Sequence, residues 1–276
     1  MIPWLPPGSD FPPLEEALDD PNGLLAAGND LAPDTLISAY TRGIFPWYDP
    51  SQPVLWWTPN PRCVFRPGDF HISRRLGRHL RNADLTFYLD RDFERVIDVC
   101  AAPRDDDGGT WITPEMRAAY LRLHALGHAH CVTVFEDGEL AGGLYGVQLG
   151  GVLFGESMFS TRTNGSKSVL ALLWRLAPRL GIRLLDAQVE SDHLMRLGAF
   201  LMPRVDFQRQ LDALIPDPLP CPGRRRRSAG TTPRPEPVTR RCRAAPRNPG
   251  RSGYSPGWPW RPGWRLSPGS GRAAAS

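Results

Sequence analysis

Three polar side chains lie inside segments that are otherwise apolar: Glu156, Asp186 and Gln188. Both segments are short and bounded by glycine, which is typical of buried strands. A polar group in a buried strand costs free energy unless it has a partner or a chemical role. A carboxylate and an amide together could orient a reacting amine, stabilise a developing oxyanion, or hold a cationic substrate. The structural alternative is a buried pair that satisfies backbone groups of a turn.

The two segments are predicted strands that flank a helix. Residues 152–160 and 182–189 are the strands. Residues 167–180 have the apolar spacing of a helix, with Pro178 expected to distort its last turn. A strand–helix–strand crossover of this kind makes its two strands parallel members of one sheet.

Two hairpin strands are predicted before this crossover. They are residues 130–136 and 139–147, and the Asp137-Gly138 pair between them is a strong hairpin signal. Hairpin strands followed by a crossover predict a mixed α/β (α+β) sheet with a parallel pair at its centre.

The predicted strands determine how the three polar side chains are arranged. Residues two apart on a strand share a face, so Asp186 and Gln188 should point the same way. Glu156 lies on the strand before the crossover, and it could point into the same cleft from a neighbouring position. The sequence therefore predicts one site at the parallel pair.

The first 62 residues are rich in proline and tryptophan. Residues 33–40 are predicted to form a short helix. The aromatic run 54–57 lies between prolines and is expected to be an edge strand, because proline cannot donate to a sheet ladder. We expect residues 1–62 to form a small N-terminal domain and residues 63–215 to form the main domain.

Four arginines follow at helical spacing: Arg74, Arg75, Arg78 and Arg81. If a helix begins near Ser73, then Arg74, Arg78 and Arg81 line one of its faces. Such a stripe could bind nucleic-acid phosphates, or it could be only a solvated basic face.

Basic charge is concentrated at the end of the chain. Residues 216–276 contain 13 Arg and two acids, a net charge of +11, so the preceding residues are net −7 because the whole chain is +4. This segment is rich in proline and glycine and poor in aliphatic residues, which predicts a disordered tail. Its basic and aromatic residues are typical of RNA-binding tails, but segments of this kind need no dedicated role.

Several functional classes lack support in the sequence. The five cysteines include no C-x-x-C pair, and the acids at 105–107 and the histidines at 124–130 lack ligand spacing, so no metal site is predicted. A secretory signal and an apolar stretch long enough to span a membrane are also missing. We therefore expect a cytoplasmic protein with reduced thiols and no membrane contact.

The turn at 162–167 is similar to the pyrophosphate-binding loop R/Q-x-x-G-x-G/A of acetyltransferases. Lys167 replaces the last small residue of that pattern and would crowd a bound pyrophosphate. We therefore expect the acetyl-CoA site to be lost, although an acetyl-CoA-dependent N-acetyltransferase stays an alternative.

Longer segments, distributed over about residues 10–213, match the sequence pattern of a known family. They read PNGLLAAGNDL, RGIFPWY, LWWTPNPR, HISR, GTWIT, AYLRLHALGHAH, GGLYGV, FGESMFS and DAQV…DH…LGA. Together they resemble the leucyl/phenylalanyl-tRNA–protein transferases. The resemblance implies a small N-terminal domain followed by an acetyltransferase-like (GNAT-type) mixed-sheet domain. It also implies transfer of Leu or Phe, less readily Met, from aminoacyl-tRNA to proteins that begin with Arg or Lys, which marks them for N-degron proteolysis.

The resemblance also assigns roles to individual residues. It implies a catalytic centre at Asp186 and Gln188, where Gln188 contacts the attacking amine and Asp186 orients it, with Glu156 beside the aminoacyl group. Trp47 and Trp111 would flank the terminal adenosine, since stacking on an aromatic side chain stabilises a base. Whether Asp186 or Glu156 instead recognises the acceptor cation stays open.

By the same resemblance, Phe154 and Met158 are expected to line an apolar pocket for the aminoacyl side chain. The arginine stripe would bind acceptor-stem phosphates. Aminolysis of an activated ester is downhill, and an α-amine has a pKa of about 8, so we expect no cofactor, metal or strong base. We expect the protein to be a monomer. Its expected partners are aminoacyl-tRNA and the acceptor protein. A non-catalytic RNA-binding module is the remaining alternative.

Overall fold

The computed structural model describes residues 2–102, 110–215 and 237–238. The predicted disorder of residues 216–276 and the acidic loop at 105–107 therefore fall outside the described residues, apart from the pair 237–238. That pair forms a two-residue strand, which is paired with a strand of the main sheet.

The N-terminal segment contains the strands β1 (Trp4–Leu5), β2 (Leu24–Gly28), β3 (Phe45–Pro46) and β4 (Leu55–Trp57). Within the described residues they form one sheet in the order β1-β2-β4-β3. β1 runs parallel to β2, and the other neighbours are antiparallel. The predicted helix of this segment is present and begins at Pro33, whose missing N–H costs nothing in the first turn of a helix.

β4 lies inside this sheet, so the expectation of an edge strand at residues 54–57 is wrong. β4 pairs with β2 on one side and with β3 on the other. Pro53 and Pro59 lie outside the strand, so each residue of β4 keeps its backbone N–H. The proline-containing edge is instead β3, which ends at Pro46.

The main sheet contains the strands β5 (Arg62–Phe65), β6 (Leu85–Leu89), β7 (Ala129–Glu136), β8 (Glu139–Leu149), β9 (Val152–Ser160), β10 (Leu184–Gln188), β11 (Phe200–Met202) and β12 (Pro237–Val238). Among the described residues their order is β11-β5-β10-β9-β8-β7-β6-β12. β9 and β10 are parallel, and the other neighbours are antiparallel. The mixed α/β sheet with a central parallel pair is therefore confirmed.

The described helices are α1 (Pro33–Thr41), α2 (Arg74–Asn82), α3 (Phe93–Ala101), α4 (Pro114–Ala125), α5 (Gly165–Leu176), α6 (Asp192–Arg196) and α7 (Arg204–Leu214). Among them, none has the length and apolar character needed to cross a membrane. The helix predicted at 167–180 begins two residues earlier and ends at Leu176. Pro178 cannot donate a backbone hydrogen bond, so the chain leaves the helix before it.

Two hydrophobic clusters cover the two faces of the main sheet. In the first, side chains of the N-terminal segment such as Tyr40 and Trp56 pack with Tyr120 of α4 and Phe154 of β9. In the second, α2 and α5 pack on the opposite face. Residues before position 62 thus share a core with the main sheet, and this contact brings side chains of α1 to β9.

Candidate active site

A cavity of about 400 Å³ opens where β9 and β10 separate. The parallel pairing runs from Val152 opposite Leu184 to Phe154 opposite Asp186, and it ends there although β9 continues to Ser160. The residues that line the cavity are Phe65, Cys100, Ala102, Thr110, Trp111, Leu144, Gly155, Glu156, Ser157, Met158, Leu170, Leu185, Asp186, Ala187 and Leu194. The lining thus combines apolar side chains with polar groups, which include two carboxylate residues.

A β-bulge lies in each of the two strands beside this cavity. In β9, Glu156 is an extra residue between Gly155 and Ser157, both of which pair with β8. In β10, Ala187 is the extra residue opposite β5, and Gln188 after it has the left-handed φ of 63°. A bulge interrupts regular pairing and redirects the neighbouring side chains. Here the bulges bring Glu156 and Gln188 together across the gap between the strands.

Three donors surround the carboxylate of Glu156. Tyr40 Oη donates to Oε1 at 2.8 Å, and Tyr120 Oη donates to Oε2 at 2.7 Å. Gln188 Nε2 donates to Oε1 at 3.1 Å. Both tyrosines are fully buried, whereas Glu156 is half-buried and borders the cavity. The predicted proximity of Glu156 and Gln188 is therefore present, with two tyrosines that the sequence did not indicate.

This network holds a proton up to near neutral pH. Burial is the main cause that raises the pKa of Glu156 from its ordinary 4.5 to about 7, and the hydrogen bonds from Tyr120 and Tyr40 lower it in part. The two tyrosine oxygens also lie only 2.6 Å apart. Tyr40, Tyr120 and Glu156 therefore make three short oxygen–oxygen contacts with one another, but the two hydroxyls supply only two protons for them. A proton on Glu156 supplies the third, and the ring of three groups is then fully hydrogen-bonded.

Asp186 has a different environment, because its carboxylate is paired inside the protein. Arg62 Nε donates to Oδ1 at 2.8 Å, and Arg62 Nη2 donates to Oδ2 at 2.7 Å. The side chain of Asp186 is 0% exposed and that of Arg62 is 1% exposed. The backbone N–H of Gln188 also donates to Oδ1, at 2.9 Å. Both carboxylate oxygens of Asp186 are therefore already engaged.

Comparison with known proteins assigns this arrangement to a family. A family model described as leucyl/phenylalanyl-tRNA protein transferase matches residues 64–212, and the model of that family's N-terminal domain matches residues 29–60. The chain belongs to this family. The resemblance predicted from the sequence motifs is thus confirmed, and the protein is an enzyme, a transferase of aminoacyl groups.

Relatives of the same name are similar over most of their length. The leucyl/phenylalanyl-tRNA–protein transferase of Alcanivorax borkumensis is 58% identical over 217 residues, which cover 78% of this chain and 90% of the relative. That of Alkalilimnicola ehrlichii is 56% identical over 210 residues, 76% of this chain and 81% of the relative. Among solved structures, a GCN5-related N-acetyltransferase from Kribbella flavida matches 63% of this chain and 62% of its own at 14% identity, with a TM-score of 0.33.

The structure separates the two residues expected to line the side-chain pocket of the transferase. Met158 borders the cavity. Phe154 is 0% exposed, lies in the first hydrophobic cluster with its ring 5.0 Å from that of Tyr40, and does not border the cavity. The two residues would share a face in a regular strand, but the bulge at Glu156 shifts the alternation by one residue. Phe154 therefore packs behind Tyr40 rather than facing the cavity.

The two tryptophans expected at the adenosine site lie on neighbouring segments. Trp111 borders the cavity, and Trp47 is 45% exposed. A contact joins the two segments, because the hydroxyls of Tyr48, which follows Trp47, and Thr113, two residues after Trp111, lie 3.1 Å apart. In addition, Trp57 Nε1 donates to the backbone oxygen of Trp47 at 2.6 Å. Of the two expected tryptophans, Trp111 therefore borders the cavity and Trp47 is exposed on the segment joined to it.

The arginine stripe lies on α2, on the helix that was predicted. Ser73 caps this helix, since its Oγ accepts from the N–H of Leu76 at 3.2 Å. Leu76 and Gly77 face the core, while the four arginines of the stripe are exposed: Arg74, Arg75, Arg78 and Arg81. None of the four is among the described residues that line the cavity. The stripe is therefore a surface of the transferase separate from its cavity.

Sequence reasoning missed three residues of the site: Arg62, Tyr40 and Tyr120. Arg62 is a charged residue at the start of an apolar strand, and this signal could have raised the question of a buried partner. The tyrosines gave less indication, because aromatic residues on the inner face of a helix are usually part of the core.

The turn before α5 contains the loop at 162–167 that is similar to a pyrophosphate-binding loop. The N–H of Ser166 in the first turn donates to Ser160 Oγ at 2.7 Å, so a backbone donor is already used. Gly165 lies so close to Ala141 that a Cβ would come within 1.8 Å of its oxygen, which explains the glycine by packing. Across the described residues, no group of three or more His, Cys, Asp or Glu could hold a metal ion.

The stability of the transferase should fall as the pH rises from about 4.5 to about 7, because of Glu156. Its folded-state pKa of about 7 lies above the ordinary 4.5, so the folded protein binds more protons in this window. The stabilisation is complete below pH 4.5 and is lost as the pH rises through 7, a change of roughly 3 kcal/mol. Denaturant unfolding of the wild type and Glu156→Gln across this window isolates the effect. A stability difference that does not change with pH would contradict the raised pKa.

Proposed function

We propose that the enzyme transfers Leu or Phe, less readily Met, from aminoacyl-tRNA to the α-amino group of proteins that begin with Arg or Lys. The product carries a new peptide bond and is thereby marked for N-degron proteolysis. The observation that supports this proposal is a cavity whose apolar side chains lie next to a half-buried carboxylate. Charged tRNA is available in the cytoplasm, so we propose that the enzyme acts there, as a monomer.

The walls of the cavity suit an apolar aminoacyl side chain. Leu144, Met158, Leu170 and Leu185 contribute unbranched or γ-branched apolar groups from β8, β9, α5 and β10. Burial of a Leu or Phe side chain among them would contribute roughly 1.5–3 kcal/mol. Trp111 on the same border would stack against the terminal adenine of the tRNA.

The environments of the two carboxylates suggest different roles for them. Asp186 is a poor site for an acceptor cation, because its side chain is 0% exposed and its charge is already paired with that of Arg62. Glu156 borders the cavity, and we propose that it binds the side chain of the N-terminal Arg or Lys. Gln188 donates its NH₂ to Glu156, and its carbonyl oxygen would accept a hydrogen bond from the attacking α-amine.

The reaction is an aminolysis. The nitrogen of the acceptor attacks the ester carbonyl, a C–N bond forms, and the bond from carbon to the ribose oxygen breaks. The proton lost by the amine ends on the departing ribose hydroxyl. Because the ester is activated and a fraction of the amine is neutral near pH 7, holding both groups in contact supplies much of the rate.

Replacing both Arg78 and Arg81 with Ala should weaken tRNA binding and flatten its salt dependence. Each lost phosphate contact lowers the slope of log K against log salt by about 1, so a change of about 2 is expected. Equilibrium binding of charged tRNA at several salt concentrations measures this slope.

The matched control for this pair is Arg95→Ala with Arg209→Ala, which removes the same charge from exposed positions on two other helices. Its slope should stay close to that of the wild type. If the stripe variant keeps the wild-type slope as well, α2 does not bind the tRNA backbone.

The proposed function is tested by transfer of labelled Leu from Leu-tRNA to a peptide that begins with Arg. The expected result is a labelled peptide with an added N-terminal Leu, and no product from the same peptide when its amino group is acetylated. Calorimetry with acetyl-CoA examines the acetyltransferase alternative. Acetyl-CoA binding without Leu transfer would overturn the proposal, and tRNA binding without either would indicate an RNA-binding module.

A further inference from the structure

Arg62 is a buried charged side chain that contacts Asp186 of the site. It lies at the start of β5 with 1% exposure, and two of its nitrogens bind the two oxygens of Asp186. Its guanidinium also lies over two rings, 4.7 Å from the centre of Phe45 and 5.0 Å from that of Phe207. A plane that stacks on aromatic rings and binds a carboxylate with two parallel bonds is specific to arginine.

This side chain joins three parts of the fold. Phe45 belongs to β3 in the N-terminal sheet, Phe207 belongs to α7, and Asp186 belongs to β10. The third guanidinium nitrogen, Nη1, is buried and, among the described residues, has no hydrogen-bond partner. The orientation of Arg62 therefore depends on the two rings and on Asp186 together.

A chain of contacts leads from Arg62 to the cavity. The Oδ1 atom of Asp186 that accepts from Arg62 also accepts from the backbone N–H of Gln188, at 2.9 Å. Gln188 has the left-handed φ of 63°, which is unfavourable for a residue with a side chain and needs contacts that hold it. In this conformation the side-chain amide reaches Glu156.

We propose that Arg62 is a positioning residue for aminoacyl transfer: by fixing Asp186, it holds Gln188 in the backbone conformation that points its amide at Glu156 and at the acceptor amine. This inference rests on the proposed function. Arg62 touches no substrate; it acts through Asp186 and Gln188.

The charges of the buried pair add a second effect on Glu156. The negative charge of Asp186 raises the pKa of Glu156, and the positive charge of Arg62 lowers it. In the intact pair these effects oppose each other. Removal of Arg62 alone leaves Asp186 uncompensated, so Glu156 should then ionise at higher pH.

The test measures kcat and KM for an Arg-initiated peptide with the full-length enzyme and its Arg62→Lys variant. Lysine keeps the charge but loses the second hydrogen bond and the stacked plane. We expect kcat to fall about 10- to 100-fold, as for a misplacement of catalytic groups, with a much smaller change in KM. Phe207→Leu loosens the stack without touching the ion pair, and it should lower kcat in the same direction by a smaller factor.

The pH dependence of transfer separates the effect of charge on Glu156 from the positioning of Gln188. Arg62→Gln should shift the acidic side of the profile of transfer rate against pH to higher pH. Arg62→Gln combined with Asp186→Asn should return this profile towards that of the wild type. The double variant should also be no slower than Asp186→Asn alone, because Arg62 acts through Asp186.

Arg42→Lys is the matched control. Arg42 donates at 2.7 Å to the backbone oxygens of both Phe11 and Pro12, so this substitution also breaks a two-bond contact of the N-terminal segment, away from the cavity. It should lower the melting temperature and leave kcat unchanged. If Arg62→Lys and Phe207→Leu behave as this control does, Arg62 is only structural and the inference is overturned. If the wild type itself transfers no Leu, the proposed function fails, and the inference fails with it.

Discussion

A Glu156→Gln variant should lose about 100-fold in kcat/KM for a peptide that begins with Arg. The substitution keeps the shape of the side chain and removes the negative charge that Glu156 carries above about pH 7, where transfer is measured. Hydrogen bonds to charged groups contribute about 1.5–3 kcal/mol, which corresponds to roughly 10- to 150-fold, and half-burial favours the upper part of that range. The introduced Gln also places an NH₂ donor where Glu156 accepts hydrogen bonds from Tyr40, Tyr120 and Gln188. At least one of these hydrogen bonds is therefore lost as well.

Varying the charge of the acceptor's first side chain shows whether Glu156 binds that cation or acts on the reacting amine. Peptides that begin with Arg and with its neutral analogue citrulline should differ strongly in kcat/KM with the wild type and little with Glu156→Gln. An equal loss for both peptides would instead assign Glu156 to the reacting amine and contradict its proposed role in cation binding.

Tyr145→Phe is the control for this substitution. Tyr145 is buried, and its ring lies 5.4 Å from that of Tyr120, but its hydroxyl has no hydrogen-bond partner among the described residues. Removal of an unpartnered buried hydroxyl leaves the packing intact and is close to neutral for stability. Transfer activity should stay near that of the wild type, which would show that the effect at Glu156 is specific.

Asp186→Ala should cause the largest loss of stability, about 3–5 kcal/mol, because it leaves Arg62 buried without its counter-charge. Urea unfolding of the full-length protein measures the effect. The control is Asp206→Asn, which removes an ion pair to Arg209 at the surface. Exposed pairs contribute little, so this variant should unfold close to the wild-type midpoint. Equal midpoints for the two variants would refute a structural role for the buried pair.

The milder Asp186→Asn variant tests the role of Asp186 in transfer. It keeps an acceptor oxygen for Arg62 or for the N–H of Gln188, but not two charged ones. We expect a lower kcat, because Gln188 is less firmly held, with KM for the acceptor peptide less affected. A loss confined to peptide affinity would show that Asp186 binds the acceptor.

Local signals in the sequence determined most of the secondary structure. Ser73 and Thr113 begin α2 and α4 because each side chain accepts a hydrogen bond from the first turn, a contact within three residues. Asp137 and Gly138 both have positive φ in the predicted hairpin turn. The parallel pair followed from the strand–helix–strand order, since such crossovers rarely allow another arrangement. Motifs in the same order indicated the family.

Only the tertiary structure decided how the polar residues are used. Arg62 and Asp186 are 124 positions apart, and Tyr40 and Glu156 are 116 apart, so their contacts depend on how β5 and α1 pack against the central strands. No periodic pattern carries this information. The sequence pattern also did not predict the bulge at Glu156. Its single extra residue reverses which side chains of β9 face the cavity. The sequence thus determined which residues need partners, and packing determined which partners they have.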